Sequence, residues 1–225
     1  HVAGAAVATL LENLKLPEFR ARYRTHRELR GRRAAEVIPA VKAWAARLDR
    51  EEPDYERHLL EALWVSWGQG QVDPKILELS LASPKHEARA AAVRVLRYSH
   101  AQVAHSTELF LKAAADEHPR VRLEAMVAAS WLDNADGARI ALAAMKAPVG
   151  KWMGHALDAA LWMLRDDIDR LAGSGAIDLA DNAVARDYLA GKVDFRPQTK
   201  AVEPELTNLS AESMDLYRVG KEVYH

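Results

Sequence analysis

The start of the chain contains an unusual density of arginine. Residues 15–33 hold eight basic and two acidic residues, and the basic ones include Arg20, Arg24 and Arg27. Guanidinium groups at this density suggest a phosphate-binding or nucleic-acid-binding face. The nearby aromatic residues are Phe19 and Tyr23, however, and the whole chain has a net charge of −1. We therefore favour the alternative that this is a solvated helix whose arginines pair with acidic residues of the next helical unit.

Histidines are a second group of candidate functional residues, because they can bind metal ions. Five of them recur near the starts of successive predicted helices. These are His26, His58, His86, His118 and His155. A metal site requires ligands that converge at about 2 Å on one ion. Neighbouring helices lie roughly 9–10 Å apart, so two neighbouring histidines could share an ion but five could not. We predict no metal site.

The tryptophans and the known catalytic sequence motifs are the remaining candidates for a functional role. Trp44, Trp64, Trp131 and Trp162 fall within predicted helices, where core packing is the expected role. Trp67 and Trp152 lie near predicted helix ends and are candidates for a contact surface. The nucleophile-elbow, phosphate-loop and zinc-protease motifs are absent, so we predict no catalytic residue. The predicted interaction surface comprises Arg20, Arg24, Arg27, Trp67 and Trp152.

A repeated helical pattern must position these groups. Pro119 suits the first position of a helix, and the residues from Val121 to Leu132 are apolar on more than one side. The same pattern, a proline followed by a basic residue and an apolar run, recurs at spacings of 35, 32, 33 and 33 residues. Its reference positions are Arg22, Arg57, Arg89, Arg122 and His155. A fixed period of this length predicts an all-α solenoid of about five helix pairs.

The repeat divides the chain into three predicted regions. Residues 1–165 are predicted to form the solenoid. Residues 166–192 are predicted to be a capping segment, with a flexible joint at Gly173-Ser174-Gly175 and a helix from Leu179 to Leu189. Residues 193–225 are predicted to be an irregular linker or strap, followed by a helix that starts at Ser210.

Composition restricts the class of protein. The chain is 49% apolar and 28% charged, which is typical of a soluble domain. No apolar run is long enough to predict a membrane span, and the N-terminus lacks the features of a signal peptide. The absence of cysteine excludes disulfides and thiolate metal sites without fixing the compartment. Because the sequence starts without methionine and stops inside an apparent helix, we interpret it as part of a longer protein.

Several stretches resemble known families. The segment Pro119–Ala125 resembles HEAT repeats. Residues 23–31, 58–65 and 216–224 together resemble the haem-binding, membrane-bound dehydrogenase family of planctomycetes and verrucomicrobia. That resemblance implies a HEAT-like region between a sugar-dehydrogenase-like β-propeller and a C-terminal c-type cytochrome domain, in a periplasmic or exported protein. In the family, a helix like Gly220–Tyr224 leads into a Cys-x-x-Cys-His haem motif. This chain has no cysteine and cannot attach haem covalently, so haem c is expected only in the parent protein.

Two hypotheses of function follow from these observations. The first is a non-catalytic scaffold or protein-interaction module of a larger redox protein, with the propeller and cytochrome domains of the same chain as its partners. The second is a nucleic-acid-binding protein that resembles the HEAT-like alkylpurine DNA glycosylases. The second requires arginines gathered with Trp152 and Asp158 in one groove, whereas arginines spread over the outer surface favour the first.

Overall fold

The computed structural model describes residues 2–132, 134–177, 179–193 and 195, with the side chains of Lys151 and Trp152 outside this description. The described residues contain helices and no strand, which confirms the all-α prediction for this part of the chain. In chain order the helices are α1 (Val7–Asn13), α2 (Phe19–Arg30), α3 (Ala34–Ala46), α4 (Tyr55–Gly68), α5 (Pro74–Leu81), α6 (His86–Ser99), α7 (Ser106–Ala114), α8 (Pro119–Leu132), α9 (Ala135–Ala144), α10 (Lys151–Met163), α11 (Arg165–Gly173) and α12 (Ala183–Leu189). A short 3₁₀ turn, His100–Gln102, follows α6.

Local sequence signals account for several helix boundaries. Asp73 caps α5, because its carboxylate accepts a hydrogen bond from the Ile76 N–H at 2.9 Å, and Pro74 occupies the first turn. Pro119 begins α8 as predicted. Asn134 caps α9 by accepting from the N–H groups of Asp136 and Gly137, so that helix begins at Ala135.

Helix α11 occupies the first part of the predicted capping segment, where the sequence analysis placed no helix. Asp166 and Asp167 lie in its first turn, where carboxylates stabilise the N-terminus of a helix. Ile168 and Leu171 are buried and hold the helix against its neighbours. The helix ends before Gly175, whose φ of +67° glycine adopts readily. The predicted joint is therefore the end of a helix, and the helix predicted from Leu179 begins at Ala183. The predicted strap and terminal helix at 196–225 lie outside the described residues.

The helices pack in a regular order. Each even-numbered helix from α2 to α8 contacts the next even-numbered one, so α2, α4, α6, α8 and α10 follow one another. We call this series the even row. Odd-numbered helices pack beside it: α3 contacts α4, α5 contacts α6, α7 contacts α8, and α9 contacts both α8 and α10. The five reference positions all lie in the first turns of the even-row helices. No described helix combines the length and apolarity needed to cross a membrane.

Small residues allow the closest approach, between α8 and α9. Ala125 and Ala129 of α8 are fully buried, as predicted from the apolar circumference of that helix. Gly137 of α9 faces Ala129 so closely that a Cβ at this position would lie 2.5 Å from the Ala129 carbonyl oxygen. Gly154 of α10 provides a contrast, because a Cβ there would meet nothing within 4 Å.

This contrast gives a prediction for two glycines within helices. We expect Gly137→Ala to lower the free energy of unfolding by about 1–3 kcal/mol, because backbone atoms must shift to admit the methyl group. We expect Gly154→Ala to raise it by up to about 1 kcal/mol, because alanine restricts the unfolded chain and favours the helix. Urea unfolding of both variants measures the difference. Equal effects of the two substitutions would contradict the packing of α9 on α8.

Candidate functional site

Arginines at the reference positions bind the backbone just before their own helices. From Nη1, Arg22 donates to the carbonyl oxygens of the fifth and sixth residues upstream, Pro17 at 2.6 Å and Leu16 at 2.8 Å. Arg89 makes the same pair of bonds at 2.9 and 3.2 Å. Arg122 also makes this pair, with both distances 2.9 Å. Arg57 differs, since it reaches the carbonyls of Leu14 and Lys15, before α2. These bonds satisfy carbonyl groups in the connections between helices, where no helical partner exists.

Arg89 also connects two successive even-row helices. Its Nε and Nη2 donate to the two carboxylate oxygens of Asp116 at 2.7 and 2.9 Å. Burial alone would raise the pKa of Asp116, but the Arg89 guanidinium and the His118 N–H together hold this pKa below its usual value. The hydrogen bond from Asp116 correspondingly raises the pKa of Arg89. The pair therefore stays charged and fixes the connection between α7 and α8 against α6.

Two buried glutamates hold further arginines on the even row. Glu61 of α4 is 3% exposed and accepts from Arg22 Nε at 2.9 Å and from His26 Nε2 at 2.5 Å. Glu124 of α8 is 7% exposed and lies 2.5 Å from Arg94 Nη2 of α6. This bond raises the pKa of Arg94. The predicted pairing of arginines with acids of the next helical unit is therefore present for Arg22, and Arg89 and Arg94 extend it along the row.

Aromatic side chains of α4, α6 and α8 contact one another along the even row. Trp67 of α4 stacks on Tyr98 of α6 with ring centroids 5.5 Å apart. Tyr98 in turn meets the edge of Trp131 of α8 at 5.0 Å. The Arg97 guanidinium lies 4.7 Å from the Tyr98 centroid and 5.2 Å from that of Trp131. We call Trp67, Tyr98 and Trp131 the aromatic row. Tyr98 is 46% exposed and Trp131 is 56% exposed, so large aromatic surfaces face solvent.

A groove lies between α2 and α4 at the Trp67 end of the aromatic row. Its volume is about 640 Å³, and its lining includes the aromatic rings of Phe19, Tyr23, Trp64 and Trp67. Arg22, Arg27 and Arg30 supply cationic groups, while His26 and Glu61 complete the lining. We call this cavity the α2–α4 groove. It combines apolar walls with a few charged groups, which is the usual composition of a binding site.

The structure separates the five predicted interaction residues. Arg20, Arg24 and Arg27 are all exposed on α2, but only Arg27 lines the α2–α4 groove. Arg24 and Arg27 border a second hollow beside Val2 and Ala3. Trp67 is half-buried in the α2–α4 groove rather than freely exposed. The Trp152 side chain lies outside the described residues. The nucleic-acid-binding hypothesis requires Asp158 in one groove with the arginines. The groove that contains arginines is formed by α2 and α4, whereas Asp158 is half-buried on α10.

Two of the five recurring histidines contact each other. His86, the first residue of α6, and His118, just before α8, stack with ring centroids 3.4 Å apart. His58 is buried, and burial lowers its pKa, assisted by the neighbouring Arg57. Among the described residues, no group of three or more potential metal ligands converges on one point.

The expected core role of two tryptophans is wrong. Trp131 is 56% exposed and Trp162 is 70% exposed, while Trp64 is half-buried and Trp44 is buried as expected. The exposure of Trp131 had no sequence signal, because α8 is apolar on more than one side and buries Glu124 and Ala128 close to this position on the helix. The exposure of Tyr98 and its contact with Trp131 had no sequence signal, because they depend on how α6 and α8 pack.

Comparison with protein-family models, with curated proteins and with solved structures finds no significant match to this chain. Function is therefore inferred from the side chains described above.

The Arg89–Asp116 pair predicts how stability depends on pH. Because the folded pKa of Asp116 is lowered, its contribution is complete above the unfolded value of about 3.9 and disappears as pH falls through the lower folded value. We expect Asp116→Asn to lower the free energy of unfolding at neutral pH by about 1–3 kcal/mol and to flatten its decline in acid. Denaturant unfolding between neutral and acidic pH measures both effects.

The matched control is Asp169→Asn, because Asp169 is exposed in the middle of α11 and has no ion pair among the described residues. This substitution should leave stability and its acid dependence nearly unchanged. An Asp116→Asn variant that behaves like the control would show that the pair does not stabilise the connection.

Proposed function

We propose that this chain is a HEAT-like α-solenoid that acts as a non-catalytic scaffold or protein-interaction module within a larger redox protein. Its proposed partners are a propeller-type dehydrogenase domain and a c-type cytochrome domain of the same parent chain, the latter carrying the haem c. The successive packing of α2, α4, α6, α8 and α10 supports the solenoid. The recurrence of carbonyl-binding arginines at Arg22, Arg89 and Arg122 supports a true structural repeat.

The observation that supports an interaction role most strongly is the exposure of Tyr98 and Trp131 in the aromatic row. Tryptophan, tyrosine and arginine are the residues that most often dominate the energetics of protein interfaces. Tyr98 and Trp131 bring two of these types together on adjacent helices, and the buried Arg97 stacks on both rings. The stacking restricts these side chains before any partner binds, which lowers the entropic cost of association. Large exposed apolar surfaces on a folded domain are typical of contact sites.

The pairing of charges favours a protein partner over nucleic acid. Binding to nucleic acid draws its affinity from cations that displace counterions from phosphates. On the even row, however, Arg22, Arg89 and Arg94 are already held by Glu61, Asp116 and Glu124. The net charge of the chain is −1. These arginines therefore offer little positive potential to a phosphate backbone, in contrast to the requirement of the glycosylase-like alternative.

Association with the proposed neighbours tests this function. The chain is titrated separately with the propeller-type dehydrogenase domain and the c-type cytochrome domain of the parent protein, and binding is measured by calorimetry. We expect at least one domain to bind, and we expect Tyr98→Ala with Trp131→Ala to weaken that binding by about tenfold or more, since truncated aromatic anchors typically cost above 1 kcal/mol. The matched control is Trp162→Ala with Met163→Ala, which removes exposed apolar side chains from α10 instead.

The same preparations are titrated with labelled duplex DNA at near-physiological salt. Weak binding is expected. Tight and steeply salt-dependent binding that is lost in an Arg20→Glu, Arg24→Glu, Arg27→Glu variant would contradict the scaffold function and support the nucleic-acid-binding alternative. Failure of both redox domains to bind would contradict the proposed partners.

A further inference from the structure

We propose that the α2–α4 groove binds an acidic peptide segment of a partner protein, in extended conformation, with an aromatic side chain at one end and two carboxylates at the other. This inference depends on the proposed interaction function and specifies the chemistry of the partner. It concerns α2 and the facing side of α4, whereas the proposed function concerns mainly Tyr98 and Trp131.

The two ends of the groove differ in character. Phe19 and Tyr23 lie one helical turn apart on α2, with ring centroids 6.3 Å from each other. They are 72% and 53% exposed, a large apolar area for residues on a solvated helix. Trp64 and Trp67 of α4 line the same groove, and Trp67 adjoins Gly68, beside which Arg30 lies. An aromatic side chain placed against Phe19 and Tyr23 would replace water with ring contacts.

The other end of the groove has unbalanced positive charge. Arg27 and Arg30 line the groove, and no carboxylate among the described residues lies within ion-pair distance of either guanidinium. The Arg30 guanidinium lies over Gly68, with Nε 3.6 Å from the position of a Cβ at that glycine. An anionic group of the ligand is the complement that this end of the groove lacks.

The third arginine and the histidine of the groove are already engaged. Arg22 and His26 both bind the buried Glu61, and Arg22 also holds two backbone carbonyls. They form a fixed polar floor whose charges are largely balanced. The cations available to a ligand are therefore Arg27 and Arg30, on the rim of the groove, and not the arginines that hold the helices together.

The spacing of these cations favours an extended peptide. Residues three apart on a helix have Cβ atoms roughly 5–6 Å apart. Alternate residues of an extended strand lie on the same side at a distance of about 6.6 Å. Carboxylates at alternate positions of an extended segment can therefore reach Arg27 and Arg30 together. An aromatic residue two positions further along the same side would then lie toward Tyr23 and Phe19. The expected motif is an aromatic residue followed, or preceded, by two acidic residues at alternate positions.

A titration with short peptides tests the proposal. The probe is the acetylated and amidated peptide Phe-Ser-Asp-Ser-Asp together with its reversed sequence, and binding is followed by the tryptophan fluorescence of the chain, to which Trp64 and Trp67 contribute. We expect at least one of the two to bind and to change this fluorescence. Replacing both aspartates with lysine should abolish binding, and replacing the phenylalanine with alanine should weaken it by about tenfold. Binding should weaken with added salt, because the charged contacts are exposed.

Matched variants locate the contact. Arg27→Glu with Arg30→Glu should weaken binding by about tenfold or more. Arg20→Glu with Arg24→Glu makes the same change in charge on exposed positions of α2 outside the groove, and should have little effect. Circular dichroism and the urea midpoint verify that all four substitutions preserve the fold, as expected for exposed side chains.

Three results would overturn the inference: acidic peptides that bind no better than their lysine counterparts, equal losses in the two double variants, or a single-stranded oligonucleotide that binds the groove more tightly than the peptides. These results are separable from a failure of the proposed function. If the peptides fail while Tyr98→Ala with Trp131→Ala still weakens association with a redox domain, only the assignment of the groove is wrong.

Discussion

The bond between a guanidinium and the backbone carbonyls before a long helix is the interaction on which the rest of this structure depends. Connections between packed helices leave carbonyl groups without helical partners. Arg22, Arg89 and Arg122 each satisfy two of them from a single nitrogen. Arg186, before the end of the described residues, repeats the arrangement with the carbonyls of Leu179 and Ala180. A planar group with five donors can do this and still reach a neighbouring helix.

This use of arginine also determines which surfaces remain available for recognition. The arginines that fix the connections also donate to Glu61, Asp116 or the Pro148 carbonyl. Their guanidinium groups are therefore already bound within the fold. Arg27 and Arg30 lack such carboxylates in the described structure and remain on the rim of the α2–α4 groove. The aromatic row continues from that groove across α6 and α8. Part of the arginine content is thus structural, and recognition is proposed for the exposed residues beside it.

The sequence predicted the parts of the fold that follow from local chemistry. The spacing of prolines and apolar runs gave the even-row helices, because Pro119 and its equivalents mark helix starts, and alanines at Ala125 and Ala129 indicated close packing. The α2–α4 groove could not be predicted, since it joins residues more than thirty positions apart through the angle between two helices. The exposure of Trp131 was missed because α8 is apolar on more than one side, so the angular position of this residue carried no signal. Helix α11 was missed because the prediction of residues 166–192 as a capping segment placed a helix only from Leu179.

The role of the reference arginines is tested most directly by comparing Arg122→Lys with Arg120→Lys in urea unfolding. Arg122 is 4% exposed and donates to the carbonyls of Asp116, Glu117 and Pro148, whereas Arg120 is exposed on the same helix. Lysine keeps the charge but lacks the planar fork that reaches three acceptors. We expect Arg122→Lys to lower the free energy of unfolding by about 1–3 kcal/mol and Arg120→Lys to leave it unchanged. Equal stability of the two variants would contradict the structural role of the reference arginines.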